Sequence, residues 1–127
     1  MGEADTAVAG LSHVLLAVRD IDRSLSFYRD VLGLEVAFAS GEFVFLRAGS
    51  VTLGLRHAPD LPSRRAEDPV GVELVFAVDE IHAAHERLRS RGVGFRVPPR
   101  VVAGGQWAAD FRDPDGHVLS IFGPARP

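Results

Sequence analysis

The chain has 127 residues, of which 46% are hydrophobic and 24% charged, and its formal net charge is −3. A chain of this size can bury an apolar core in one or two small units, and because it has no cysteine it has no disulfide, thiolate metal site or cysteine nucleophile. Its basic residues are scattered arginines, which argues against nucleic-acid binding, and no apolar run has the length of a membrane span.

The first half of the chain begins with a tail and continues as one helix and four strands. Residues 1–10 lack the basic start and apolar run of a signal peptide, so we expect a cytoplasmic protein. Residues 11–18 alternate like a strand, and residues 20–32 repeat apolar positions at helical spacing up to Gly33, a residue type that commonly ends helices. Three more strands are predicted at residues 34–39, 42–48 and 51–57.

The second half repeats this order after residues 58–69, which are rich in proline and charge and indicate a linker. Residues 70–78 predict a strand, and residues 79–91 predict a helix that ends before Gly92. Prolines at 98 and 99 and glycines at 104 and 105 predict a loop. The remaining strands are predicted at residues 93–97, 106–112 and 117–122.

Residue equivalences between the two halves indicate a doubled unit. Alignment of residues 13–21 with residues 73–81 gives identical residues at three positions. The same alignment logic near the end of each half pairs Gly54 with Ser120. Because neither half alone can cover both faces of a four-stranded sheet, we expect the two halves to depend on each other structurally.

The predicted fold class is therefore α+β, built from two βαβββ modules. The first module spans residues 11–57 and the second spans residues 70–124, within a single domain at residues 11–124. Each sheet needs one face covered by its own helix, which leaves the opposite face for another purpose.

Alternation along the strands identifies the residues on that opposite face. In the first strand of each module the large apolar row fits the helix, which leaves His13 and Glu73 at equivalent places on the other side. The same parity leaves Gly54 and Ser120 on the side away from the helix. These four positions are thus predicted to share one kind of surface.

Aromatic residues on the inner strands are predicted on the same surface. The repeat lays Phe43 and Phe45 on Ala109 and Phe111, and we expect these residues, with Trp107, on the face away from the helix. A face that combines an acid, a histidine, a serine and several aromatic rings is too apolar for open water and too polar for a dry core. Its composition indicates a curved sheet that encloses a ligand cleft.

Three segments resemble the vicinal oxygen chelate superfamily, which includes glyoxalase I, extradiol dioxygenases, fosfomycin-resistance enzymes and bleomycin-resistance proteins. The segments are HVLLAVRDIDRSLSFYRDVLGLEV, VELVFAVDEIHAAHERLRSRGV and DFRDPDGHVLSIF. The resemblance covers residues 10–124. It implies two modules whose incurving mixed sheets surround a cleft.

In metal-using members of that superfamily, the first and fourth strands of each module supply the ligands. The matching positions here are His13, Gly54, Glu73 and Ser120. Gly54 has no donor, and Ser120 stands where metal-binding members commonly have glutamate, so only two ligands remain. Because transition-metal sites usually need at least three protein ligands, the resemblance favours no metal cofactor. If a metal binds, His13 and Glu73 are its expected ligands.

The sequence most resembles the metal-free bleomycin-resistance branch, whose members are dimers that sequester a drug without altering it. We therefore expect a homodimer that binds an aromatic or drug-like small molecule in an antibiotic-resistance role, and the incomplete set of metal ligands argues against an enzyme without excluding one. The expected ligand-binding residues are His13, Phe38, Phe43, Phe45, Glu73, Trp107, Phe111 and Ser120. The alternative is a lyase, isomerase or dioxygenase that uses zinc, manganese, iron or nickel held by His13 and Glu73.

Three of these residues also have structural interpretations. Glu73 interrupts an apolar strand, and because a buried unpaired carboxylate is costly, a salt bridge to His13 or to an arginine would explain it. His13 fits a hydrogen-bonding role in the cleft as well as metal binding, and Trp107 fits the core as well as the pocket. A third function, as a non-catalytic partner of another protein, also stays open.

Overall fold

The computed structural model describes residues 7–65 and 67–127, which form two modules of the same design. Residues 1–6 of the expected tail and Ala66 of the expected linker lie outside the described residues. The first module contains β1 (His13–Val18), α1 (Ile21–Leu25), β2 (Glu35–Ala39), β3 (Phe43–Ala48) and β4 (Val51–His57). The second module contains β5 (Glu73–Ala77), α2 (Ile81–Ser90), β6 (Val97–Val101), β7 (Trp107–Arg112) and β8 (Val118–Gly123).

Each module forms one four-stranded mixed sheet, and the two sheets have the same strand order. Sheet 1 has the order β1-β4-β3-β2 and sheet 2 has the order β5-β8-β7-β6. The first pair in each sheet is parallel, and the other pairs are antiparallel. This architecture confirms the α+β fold class and the two βαβββ units that the sequence predicts.

Both helices begin at an acidic residue that caps their first turn. Asp20 accepts a hydrogen bond from the backbone N–H of Arg23 at 3.1 Å, and Glu80 accepts from those of His82 and Ala83 at 3.2 and 2.8 Å. These bonds satisfy N–H groups that have no partner within the helix. Among the described residues, neither helix is long and apolar enough to cross a membrane.

The prediction for the first inner strand of the second module is wrong. The strand lies at Val97–Val101 instead of residues 93–97, and it includes Pro98 and Pro99, which were predicted to begin a loop. β6 is an edge strand that pairs only with β7, and its register shifts between the ends of the strand. An edge strand tolerates proline because the side facing solvent needs no backbone N–H. Phe95 packs against the core instead.

The helix-side faces of both sheets merge in one core. A π-helical segment, Ser26–Val31, continues α1 and inserts Phe27 and Tyr28 between the modules. Tyr28 is fully buried, and the ring of Phe27 lies 6.4 Å from that of Phe111 on β7. The other large buried residues of this core include Leu16, Val18, Leu46, Leu55, Leu119 and Ile121. The modules therefore contact each other through the segment Ser26–Val31 and the core side of the sheets.

Two buried aspartates in the turn between β7 and β8 fasten that turn to the first module. The hydroxyl of Tyr28 donates to Asp113 at 2.7 Å. Asp115 accepts from the hydroxyl of Ser24 at 3.2 Å and from the backbone N–H of Arg19 at 3.0 Å. Burial raises the pKa of Asp113 above its usual value, although the hydrogen bond from Tyr28 acts in the opposite direction. The role of this turn as a link between the modules was not predicted from the sequence.

Candidate functional site

The face of sheet 1 that points away from α1 carries a group of aromatic rings. Strand register places Leu15 and Phe45 on either side of Gly54, and it pairs Phe38 with Phe45 on the neighbouring strand. His13 lies two residues before Leu15 and therefore points to the same side. The structure thus brings together aromatic residues that the sequence predicts for ligand binding.

The rings contact one another in a chain that is centred on Phe45. The centroid of Phe45 lies 6.1 Å from that of Phe43, which is nearly parallel, and 6.3 Å from that of Phe38. The imidazole of His13 meets Phe45 edge-on at 5.5 Å. Phe38 is 59% exposed, so the outer part of this group faces solvent in a single chain. His13, Phe38, Phe43 and Phe45 are termed the aromatic face.

Gly54 is the residue that lets these rings lie close to the sheet. A Cβ atom added at Gly54 would lie 2.6 Å from Cδ2 of Leu15 and 2.9 Å from Cε1 of Phe45, which is closer than van der Waals contact allows. The space above the glycine is therefore already occupied by its neighbours. A longer, metal-ligating side chain does not fit there unless Leu15 and Phe45 move.

The corresponding face of sheet 2 carries polar side chains beside apolar ones such as Val75. Ser120 lies between Val75 on one neighbouring strand and Asp110 on the other, and it is 2% exposed. Both carboxylate oxygens of Asp110 accept hydrogen bonds from Arg100, each at 3.3 Å. Glu73 lies two residues before Val75 and has the same orientation. Glu73, Arg100, Asp110 and Ser120 are termed the polar face.

The predicted placement of Trp107 and Phe111 on the cleft side is wrong. Phe111 is fully buried in the core, 5.2 Å from the ring of Phe95, and Trp107 packs 4.9 Å from the ring of His82 on α2. The error is a one-residue offset in the repeat. Phe45 pairs with Gly54, and Asp110 pairs with Ser120, so the residue equivalent to Phe45 is Asp110 and not Phe111.

Asp110 and Arg100 are the residues of this face that sequence reasoning missed. The signal was present in the segment WAADFR, because its apolar residues occupy alternate positions and place Asp110 on the other side. Arg100 carried no such signal, since it follows two prolines that indicated a loop. Its pairing with Asp110 depends on the position of the edge strand β6.

The expected salt bridge of Glu73 is not formed. Glu73 is exposed, and within the described part of the chain no salt bridge involves it. The reason is that β5 is an edge strand whose cleft side is open, so the carboxylate remains in water and needs no partner. His13 instead contacts the hydroxyl of Ser12, with Nδ1 and Oγ 2.9 Å apart.

Neither face covers the other within one chain. Leu15 on the aromatic face is 44% exposed, and Val75 on the polar face is 57% exposed. A separate cavity of about 460 Å³ lies where β5 approaches the first module, and core-side residues such as Leu53 and Phe76 line it. None of the predicted site residues lines this cavity. Leu15 and Val75 are therefore open to solvent on the sides of the sheets that point away from the helices.

The donors of one chain do not fit a divalent metal site with three protein ligands. Across residues 7–65 and 67–127, no group of three or more histidine, cysteine, aspartate or glutamate side chains could hold a metal ion. The position of Gly54 offers no donor, and its neighbours fill the space above it. His13 and Glu73 lie on different sheets, which leaves each sheet with fewer donors than zinc, manganese or iron usually needs.

Comparison with known proteins gives a family match over most of the chain. The family model for the Glyoxalase/Bleomycin resistance protein/Dioxygenase superfamily matches residues 10–121. The solved structure of a glyoxalase family protein from Enterococcus faecalis has a TM-score of 0.77 at 25% identity, covering 90% of this chain and 97% of that chain. A protein of unknown function from Agrobacterium tumefaciens str. C58 has a TM-score of 0.75 at 28% identity, covering 94% and 97%.

Similar curated proteins carry the names of enzymes with different chemistry. A manganese-dependent 2,3-dihydroxybiphenyl 1,2-dioxygenase from Geobacillus genomosp. 3 is 30% identical over 124 residues, which covers 91% of this chain but 36% of the dioxygenase. The metallothiol transferase FosB of Shouchella clausii is 29% identical over 120 residues, covering 90% of this chain and 80% of that protein. The two relatives are thus named for different reactions.

Proposed function

The chain belongs to the glyoxalase/bleomycin resistance protein/dioxygenase superfamily, and we propose that it binds an aromatic small molecule without a metal ion. The observation that carries this proposal is the aromatic face, where rings from three strands converge on Phe45 above Gly54. Exposed apolar groups of this kind commonly mark binding sites in proteins. In this proposal the protein sequesters its ligand and does not convert it.

The chemistry of the aromatic face suits a planar ligand. Phenylalanine rings offer a large apolar area with few rotatable bonds, so little conformational entropy is lost when a ligand stacks on them. Phe43 and Phe45 are already stacked within 6° of parallel, and the exposed ring of Phe38 extends the surface. In this proposal a planar aromatic compound lies against the exposed ring of Phe38, beside the rings of Phe43 and Phe45.

A second copy of the chain completes the cleft in this proposal. The aromatic and polar faces are both open in one chain, and Leu15, Val75 and Phe122 are 44%, 57% and 37% exposed. A two-fold dimer buries the same patches on both subunits, and it can set the aromatic face of one subunit against the polar face of the other. The polar face then supplies the exposed carboxylate of Glu73 and the paired Asp110 and Arg100 opposite the stacked rings, while Ser120 is buried within one chain.

A divalent-metal enzyme is the second candidate, and the names of the relatives favour it. The dioxygenase and FosB relatives are named as metal-dependent or metallothiol enzymes. In this chain His13 and Glu73 would be the protein ligands, and a third would have to come from water or from another copy. Drug sequestration agrees with the binding function proposed above, whereas dioxygenation and thiol transfer belong to the metal-enzyme candidate. Metal content separates the two candidates.

Titration with naphthol, a neutral two-ring aromatic compound, tests the binding proposal. In the presence of EDTA we expect calorimetry to detect binding to the wild type, and we expect Phe45→Ala to weaken it about tenfold because the central stacking ring is lost. Val101→Ala is the matched control, since Val101 is 57% exposed on an edge strand away from the aromatic face.

Equal naphthol affinity in the wild type, Phe45→Ala and Val101→Ala would contradict the proposal that the ligand binds at the aromatic face. Sedimentation of the same samples should give the mass of two chains, and a monomer that binds naphthol with unchanged affinity would contradict the role of the second copy. Circular dichroism of each variant shows whether the fold is retained, so that a loss of binding is assigned to the face.

A further inference from the structure

A second pocket, of about 300 Å³, lies beside the turn between β7 and β8. It is separate from the aromatic face, and it is unusual in its charge. Five arginines line it, from the end of β1, the linker, the segment before β6 and the end of β7: Arg19, Arg64, Arg65, Arg96 and Arg112. Two aspartates of the turn also line it, so arginines outnumber acids by more than two to one.

Both aspartates are already engaged with other groups. Asp115 bonds Arg19, Arg23 and the hydroxyl of Ser24. Asp113 accepts from the hydroxyl of Tyr28 and from two backbone N–H groups of its own turn. Their carboxylates therefore hold the turn against α1, and within the described residues neither forms a salt bridge with Arg64, Arg96 or Arg112.

Three arginines are left without an acidic partner in the part of the chain that the structure describes. No salt bridge there involves Arg64, Arg96 or Arg112. Arg64 donates to the carbonyl oxygens of Asp68 and Pro69, yet its Nε–H is buried without a hydrogen-bond partner. A buried donor without a partner is costly, and so is the close approach of like charges.

The electrostatics of Arg112 show that these groups influence one another. Burial lowers the pKa of Arg112, and the nearby guanidinium groups of Arg96 and Arg64 lower it further. Asp110 and Glu73 act in the opposite direction, more weakly. The cluster thus retains uncompensated positive charge, which an anion placed among the three guanidinium groups would relieve.

The turn itself allows the linker to come this close. Gly116 has a φ of +89°, and a Cβ atom added there would lie 3.1 Å from Cβ of Arg64. A larger residue would be strained in its backbone and would push Arg64 outward. The glycine therefore helps to hold Arg64 against the turn, facing the same pocket as Arg112.

We propose that this pocket binds an oxyanion, a phosphate or carboxylate group, through Arg64, Arg96 and Arg112. The planar guanidinium group presents paired N–H donors that match two oxygens of such an anion, and charge-assisted hydrogen bonds of this kind are stronger than neutral ones. The anion is either free phosphate or the charged group of a larger ligand. Arg112 pairs with Val118 and lies on the cleft side of β7, so a ligand on the polar face can reach it.

Calorimetry with inorganic phosphate, at constant ionic strength set with chloride, tests the pocket. We expect binding to the wild type, and we expect Arg112→Gln to weaken it about tenfold because a charge-assisted hydrogen bond is lost. Arg89→Gln is the control, since Arg89 is an exposed residue of α2 outside the pocket, and its phosphate affinity should equal that of the wild type. Arg96→Gln is the second pocket variant, for use if Arg112→Gln does not fold.

No phosphate binding beyond the chloride baseline, or the same affinity in the wild type and both pocket variants, would overturn the proposal. Naphthyl phosphate identifies the source of the anion. If the anion belongs to a larger ligand, naphthyl phosphate binds more tightly than phosphate, and both Phe45→Ala and Arg112→Gln reduce that gain. If it binds no more tightly than phosphate, the pocket is a site for the free anion. Phosphate binding without naphthol binding supports the pocket and contradicts the function proposed for the aromatic face.

Discussion

The two modules share a topology but differ in the chemistry of their open faces. Phe45 beside Gly54 in sheet 1 corresponds to Asp110 beside Ser120 in sheet 2. The first pair supports stacked rings, and the second supports a carboxylate held by Arg100. A repeated unit therefore preserves the strand register, while the side chains that face away from the helix have diverged.

The residues on the core side of the two sheets explain why both modules keep the same fold although their open faces differ. Leu53 and Leu55 in β4 match Leu119 and Ile121 in β8, and all four are buried. Packing density in the core restricts these positions to apolar residues of similar size. The open faces have no such restriction in a single chain, so their side chains can differ between the modules without a change of fold.

Substitutions in the core and on the open face should differ most in their effect on the free energy of unfolding. Phe111→Ala should lower the free energy of unfolding by about 3–5 kcal/mol, because it leaves a cavity beside Phe27 and Phe95. Phe38→Ala removes the same side chain from a residue that is 59% exposed, and its effect should stay within about 0.5 kcal/mol. Urea unfolding of the two variants measures both, and equal losses would contradict the assignment of the faces.

Loss of the hydrogen bond between Tyr28 and Asp113, which links the modules, should lower the free energy of unfolding by a smaller amount. Tyr28→Phe removes the hydroxyl that donates to Asp113 inside the core, and we expect a loss of about 1–3 kcal/mol in urea unfolding. Ser90→Ala is the control, because the hydroxyl of Ser90 bonds only within its own exposed helix end. An unchanged free energy of unfolding in Tyr28→Phe would show that this contact does not hold the modules together.

Burial of Asp113 predicts a dependence of stability on pH. Burial raises the pKa of Asp113 above its ordinary value of 3.8, so the folded chain holds this proton more tightly than the unfolded chain. The stability contributed by the proton is fully present below pH 3.8 and is lost as pH rises through the raised pKa. Asp113→Asn should flatten that part of the stability curve, and an identical slope in the variant would argue against the assignment.

The two βαβββ modules could be predicted from the sequence because periodicity and turn residues are local signals. The equivalence of Gly54 with Ser120 followed from aligning two strands that end each module, and the structure has this equivalence. The placement of Phe111 failed because the repeat alignment drifted by one residue, and in a strand a one-residue shift changes the face. The apolar alternation of β7 alone gives the correct answer.

Other features depended on contacts between distant segments. The strand at Val97–Val101 contains two prolines, and only its position at the sheet edge makes them acceptable. The pairing of Tyr28 with Asp113 joins residues 85 positions apart, and nothing local in the sequence indicates it. The group of arginines beside the turn likewise comes from four separate segments.

Metal analysis of protein purified without a chelator tests the central claim, that the open faces form an aromatic binding site and not a metal centre. We predict far less than one manganese, zinc, iron or nickel ion per chain, with no difference between the wild type, His13→Ala and Glu73→Ala. The reason is that Gly54 and Ser120 occupy two of the four positions that hold ligands in metal-using members of the superfamily, and neither provides a suitable donor. One metal ion per chain in the wild type, lost in either variant, would contradict the account.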